Sequence, residues 1–219
     1  MERHELAAMI DHTLLKPEAT DRQVEQRCRE AIEHGFASVC VSPNRVGLVA
    51  SLLEGHPSLA CSVIGFPSGA HVSAIKAAEA QQAAAAGAQE LDMVIDLGGL
   101  LDEGAEAVAR DVHAIRSAID DDVVLKSIIE SAALTDEQIV AACEAAVAAG
   151  ADYVKTSTGF HPAGGASTHA VALMRATVGD HVGVKASGGI RSYADALAMI
   201  EAGASRLGMS AGVAVVTGD

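Results

Sequence analysis

The sequence predicts one α/β domain, residues 1–219, folded as a closed (β/α)8 TIM barrel. Three observations lead there. Short apolar runs of strand length recur eight times, with starts roughly 23 to 33 residues apart, the length of a strand–helix–strand unit. The segments between them carry helical patterns. Capping signals and glycines punctuate the alternation, and no linker or composition break divides the chain. Eight strands alternating with helices close a parallel barrel, the competitor being an open doubly wound sheet.

The strands follow in order. "MIDHT" from Met9 is the shortest and weakest signal. "ASVCVS" from Ala37 sets Val39 and Val41 against Cys40, and "ACSVIGF" from Ala60 is largely apolar. "ELDMVID" sets Leu91, Met93 and Ile95 against Glu90, Asp92 and Asp96. "VVLKSII" from Val123 carries Lys126. "DYVKTS" opposes Val154 and Thr156 to Tyr153, Lys155 and Ser157, and "VGVKAS" opposes Val182, Val184 and Ala186 to Gly183, Lys185 and Ser187. "SRLGMS" from Ser205 is the last. Two intervening helices open on Thr20 and Thr135 in "TDRQ" and "TDEQ", where a threonine with glutamine three residues on makes a capping box. Gly35, Gly87, Gly150 and Gly203 stand where helices should end.

Successive side chains on a strand alternate between faces. The apolar faces belong under the helices. The opposite faces point into the barrel and collect Asp11, Thr13, Cys40, Asp92, Lys126, Lys155 and Lys185, most of them expected near strand ends. A barrel interior is ordinarily filled by branched aliphatics. A single internal ion pair would account for one lysine but not three, so this set describes a reactive site.

Composition narrows the function. The formal net charge of −14 opposes nucleic-acid binding, because phosphates would be repelled. Five of the fifteen basic residues are lysines, at positions 16, 76, 126, 155 and 185, and three of these fall in strands. The acidic, lysine-poor surface fits either simple solubility or adaptation to a salty cytoplasm. Cys28, Cys40, Cys61 and Cys143 form no CxxC and read as reduced thiols. With no secretory leader pattern and no long apolar stretch, a cytoplasmic protein without membrane contact is expected.

Clustered lysines suggest a definite chemistry. A lysine amine attacks carbonyls only when unprotonated, and burial together with a neighbouring positive charge favours that form. If Lys155 and Lys185 meet across adjacent strands, one can form a Schiff base while Asp92 moves protons. The imine then acts as the electron sink for breaking a carbon–carbon bond, without cofactor or metal. The nine histidines show no HxH or HxxxH spacing, which disfavours a metal centre. Small-residue loops after the last strands, with Thr158, Gly159, Gly188, Gly189, Gly208 and Ser210, suit a phosphate. GxxxxGK[ST] and GxGxxG are both absent.

The motifs "IDHTLLKP", "ASVCVSP", "ELDMVI", "VLKSIIE", "YVKTSTGF", "VKASGGIR" and "GASRLGMSAGVA" together resemble the deoxyribose-phosphate aldolase family along nearly the whole chain. The resemblance implies a class I aldolase that reversibly cleaves 2-deoxy-D-ribose 5-phosphate to D-glyceraldehyde 3-phosphate and acetaldehyde. It assigns Schiff-base formation to Lys155, its tuning to Lys185, and proton transfer to Asp92. The phosphate grip falls to "TSTG", "SGG" and "GMSAG", with Asp11, Thr13, Cys40 and Lys126 as further substrate contacts. The expected partner is a small phosphorylated sugar, and a homo-oligomer, dimer or tetramer, is anticipated. Three positions depart from common family patterns: Leu101 in place of a lysine, Ala211 in place of a second serine, and an ending "VVTGD" where some members have a tyrosine. Two other readings stand beside this one: a class I aldolase for a different phosphorylated carbonyl compound, and a phosphosugar-binding barrel without catalysis.

Overall fold

The structure is a computed structural model that describes residues 1–218. Its elements run α1 (Arg3–Ala7), β1 (Ile10–Leu14), α2 (Asp21–His34), β2 (Ser38–Val41), α3 (Val46–Leu52), β3 (Leu59–Ile64), α4 (Ser73–Ala85), β4 (Glu90–Val94), α5 (Leu97–Glu103), α6 (Ala105–Arg116), β5 (Val124–Ile128), α7 (Asp136–Ala148), β6 (Tyr153–Lys155), α8 (Thr168–Val178), β7 (Gly183–Ser187), α9 (Tyr193–Glu201), β8 (Arg206–Met209) and α10 (Gly212–Thr217). The strands pair in chain order, all parallel, and β8 closes on β1. All eight apolar runs are strands, including the short first one.

The capping boxes are formed at Thr20 and Thr135, each with its glutamine returning a bond to the cap backbone. The four glycines after helices adopt φ between 71° and 111°, the left-handed region that lets the chain turn back to the next strand. Helices α3, α5 and α8 pack against the barrel through Val46 and Val49, Leu100, and Val171 and Met174 respectively. The short α1 precedes β1 and packs on α10, with Arg3 Nη1 donating to Val216 O at 2.6 Å.

Val39, Val41, Leu91, Met93, Val154 and Val184 face outward and join the main core under the helices. That leaves the inner faces free to carry polar side chains. No described helix is long and apolar enough to cross a membrane.

Candidate active site

Strand register builds the site. Asp92 on β4 stands opposite Lys126 on β5, and Lys155 on β6 stands opposite Lys185 on β7. All four side chains converge inside the barrel. Asp92 Oδ1 accepts from Lys126 Nζ at 2.9 Å. Asp92 Oδ2 accepts from Lys155 Nζ at 2.7 Å and from Lys185 Nζ at 2.5 Å. Lys126 also donates to Glu90 Oε2 at 2.7 Å and lies 3.6 Å from Asp11 Oδ2, the oxygen that pairs with Lys185. Arg206 on β8 closes the network, donating to Asp11 Oδ1 at 2.7 Å and to Glu90 Oε1 at 3.1 Å. Ser38 donates to Asp11 Oδ1 from the other side.

One expectation needs correction. Only Lys155 is the last residue of its strand; Asp92, Lys126 and Lys185 sit mid-strand. The polar groups form a column through the barrel rather than a ring at its mouth, because each long lysine reaches inward to carboxylates on other strands. Gly208 makes room for this column: a Cβ there would come within 3.0 Å of Lys185 Cε and Ser187 Cβ.

The network settles its own charges. Burial alone would raise Asp92, but Lys126, Lys155 and Lys185 outweigh it and hold the carboxyl well below its usual range. Asp11 is lowered in the same way, with Lys185, Lys126 and Arg206 overcoming burial. Burial would strip the proton from Lys185, yet Asp11 and Asp92 reverse this and keep it an ammonium far into alkaline pH. Lys126 is held protonated against burial by Asp92, Cys61, Asp11 and Glu90.

A cavity of about 470 Å³ opens above the column at the C-terminal ends of the strands. Lys155 is the lysine of the column that reaches it. Thr13, Thr158, Gly159, Gly188, Gly189, Gly208 and Ser210 line it, as does Ala211. Gly159, Gly188 and Gly189 have φ of 82°, 85° and 86°, so these loops present bare backbone to the opening. Asp11, Cys40 and Lys126 are wholly buried and do not line it.

A model of the DeoC/LacD family of aldolases matches residues 6–217. The chain belongs to this aldolase family. It is 61% identical to the deoxyribose-phosphate aldolase of Kocuria rhizophila, over 99% of this chain and 97% of that protein. It is 55% identical to that of Lysinibacillus sphaericus, over 97% and 95%. Among solved structures, the tetrameric deoxyribose phosphate aldolase of Aeropyrum pernix superposes with a TM-score of 0.92 at 38% identity, covering 99% of this chain and 91% of that one.

The aldolase site contains residues that sequence reasoning left out. Glu90 shared a strand face with Asp92, so alternation marked it, and Arg206 lies two residues before Gly208 on the inner face of β8. Glu130 had no such signal. It is the one non-glycine described residue with positive φ, 56°, and its carboxylate takes the Thr158 hydroxyl at 2.6 Å and the Thr158 N–H. The Thr158 hydroxyl is thus committed to shaping its loop. Thr156 and Ser187 bind each other's strands, Ser187 N donating to Thr156 Oγ1 at 3.0 Å and Thr156 Oγ1 to Ser187 O at 3.2 Å. Leu101 lies exposed on α5. Of the C-terminal "VVTGD", Asp219 lies outside the described residues.

Cys40, paired with Cys61 across β2 and β3, joins Val63, Leu15 and Phe66 in a second apolar cluster beside the column. Ligand atoms of Cys40, Cys61 and Asp92 lie within 4.8 Å of one another, the one such group among the described residues. The Asp92 carboxylate already accepts from three lysine side chains, and the charge of Lys126 and Lys185 works against a cation there.

Proposed function

We propose that the chain is a class I aldolase that reversibly cleaves 2-deoxy-D-ribose 5-phosphate to D-glyceraldehyde 3-phosphate and acetaldehyde, with Lys155 as the Schiff-base residue. The observation that carries the reading is the division of labour on Asp92 Oδ2. Lys185 is locked there as a buried cation between two carboxylates, while Lys155 has Asp92 as its one carboxylate partner and alone opens to the cavity.

The open-chain sugar enters with C1 at Lys155. The free amine adds to the aldehyde, and loss of water from the carbinolamine leaves an iminium. Asp92, next to Lys155 Nζ, takes the proton of the C3 hydroxyl, directly or through water. The C2–C3 bond breaks, its electron pair passes into the iminium, and glyceraldehyde 3-phosphate departs. The enamine then takes a proton at C2, and water releases acetaldehyde. Lys185 supports this sequence by its charge, holding Asp92 ionised and disfavouring a second ammonium beside it. The glycine backbone around residues 159, 188 and 189, with Ser210, offers N–H and hydroxyl groups to the phosphate. Ala211 offers only its backbone, so the grip has one hydroxyl fewer. Asp11 and Lys126 act from beneath, holding Lys185 and Asp92 in place.

No cofactor or metal enters this reading, and chelation should leave the rate unchanged. We place the protein in the cytoplasm, without membrane or nucleic-acid partners, and assembled as a homo-oligomer. The test is direct. Purified protein given 2-deoxy-D-ribose 5-phosphate should yield both products in equal amounts, and cleave 2-deoxyribose with lower kcat/KM. Cleavage confined to another phosphorylated carbonyl compound would replace the substrate, and binding without turnover would make this a phosphosugar-binding barrel.

A further inference from the structure

The buried column holds three carboxylates, Asp11, Glu90 and Asp92, and four basic groups, Lys126, Lys155, Lys185 and Arg206. Fully protonated, it carries one positive charge in excess. An uncompensated charge is expensive in a dry interior, and losing one proton removes it. Lys126 bonds or approaches three carboxylates and Lys185 two, whereas Lys155 meets one. Arginine does not deprotonate. Lys155 is therefore the lysine of the column with the fewest anionic partners.

We propose that Arg206 is a positioning residue for the aldolase reaction: its fixed charge, delivered through Asp11 and Glu90, keeps the column one cation in surplus and so frees the Lys155 amine near neutral pH. The proposal rests on the Schiff-base reading above. Without Arg206, three lysines would match three carboxylates, and Lys155 could keep its proton at no penalty in balance. Glu90 opposes Arg206 in this scheme, since its removal would enlarge the surplus.

The groups that face Lys155 come from every strand around it. Asp92 and Glu90 come from β4, Lys126 from β5, Lys185 from β7, Arg206 from β8 and Asp11 from β1. Cys40 and Cys61 face inward from β2 and β3. Tyr153 lies on the same strand, under the Arg206 guanidinium at 5.7 Å. Glu130 is engaged by Thr158 outside the column, and Lys16, Arg27 and Arg191 stand on the cavity rim. Of these, Cys40 is the other group able to supply a balancing charge, as a thiolate; the neighbouring Cys61 side chain lowers its pKa from the usual thiol value.

The experiment is a charge-parity cycle read in the acid limb of kcat/KM against pH, which reports the free enzyme. Arg206→Met should move the limb alkaline by about one pH unit. Arg206→Lys should leave it in place. Glu90→Gln should move it acid. The double variant Arg206→Met/Glu90→Gln restores the surplus and should return the limb toward that of the unaltered protein, a recovery that mere structural damage would not produce. If Arg206→Met does not fold, the acid shift of Glu90→Gln and the position of the double variant decide. The proposal is overturned if Arg206→Met loses activity equally at all pH, if the double variant lies no nearer the parent than its singles, or if Cys40→Ser moves the limb and Arg206→Met does not. Borohydride trapping with acetaldehyde separates the two readings. An adduct on Lys155 with an unmoved limb sinks the Arg206 role alone, whereas no adduct on the parent protein sinks both.

Discussion

Lys155 and Lys185 stand opposite one another on β6 and β7 and bring their amines to the same atom, Asp92 Oδ2, at 2.7 and 2.5 Å. Identical side chains thereby acquire different roles. Lys185 is sealed beneath, with Asp11 as a second anion, and stays charged. Lys155 borders the cavity.

The first prediction follows from that asymmetry. Lys185→Leu removes a cation beside Lys155, so the amine keeps its proton to higher pH. The activity optimum should move alkaline as activity falls. A displacement of one pH unit corresponds to about 1.4 kcal/mol and a roughly tenfold loss of free amine at neutral pH. Lys185→Arg keeps the charge and should keep the optimum while changing geometry. A pH–rate profile for Lys185→Leu that is lower everywhere but otherwise unmoved would make Lys185 a holder of Asp92 rather than a source of charge.

The second concerns a lysine with no place in the site. Lys76, on α4, is fully buried and joins Asp111 at 2.7 Å and the Val94 carbonyl at 2.8 Å, fastening α4 and α6 to the end of β4. Lys76→Met leaves Asp111 buried without its cation and should lower unfolding free energy by about 3 to 5 kcal/mol in urea denaturation. Lys76→Met/Asp111→Leu should recover part of the loss. A neutral single variant would mean the pair contributes nothing.

Particular residues show what the sequence could and could not reveal. Alternation along "ELDMVID", "DYVKTS" and "VGVKAS" was enough to send Asp92, Lys155 and Lys185 inward, because strand geometry leaves each side chain two options. It also put Glu90 on the face of Asp92, whereas "SRLGMS" was assigned no faces and Arg206 was passed over. Their partnership was hidden, since Arg206 reaches Asp11 only after β8 closes on β1, 195 residues away in the chain. Lys76 was missed because α4 is alanine-rich, with little periodicity to show which face is buried. The left-handed turn at Glu130 had no glycine or asparagine to announce it. Counting lysines on strands still pointed the right way: of the five, Lys16 alone is exposed.

The surface supplies a third prediction. Its acidity, net −14, leaves carboxylates crowded and mutually repelling. If this is a salt adaptation, Tm should climb with KCl up to molar concentration. A Tm that stays flat across that range would leave solubility as the reason for the charge.

The most direct measurement is to find the residue that carries the imine. The protein is incubated with acetaldehyde, reduced with borohydride, digested and mapped by mass. A two-carbon adduct on Lys155 is expected, and Lys155→Ala should lose both the adduct and turnover by many orders of magnitude while retaining phosphate binding. An adduct on Lys185 or Lys126 would contradict the account, since both are held there as buried cations with no amine to offer.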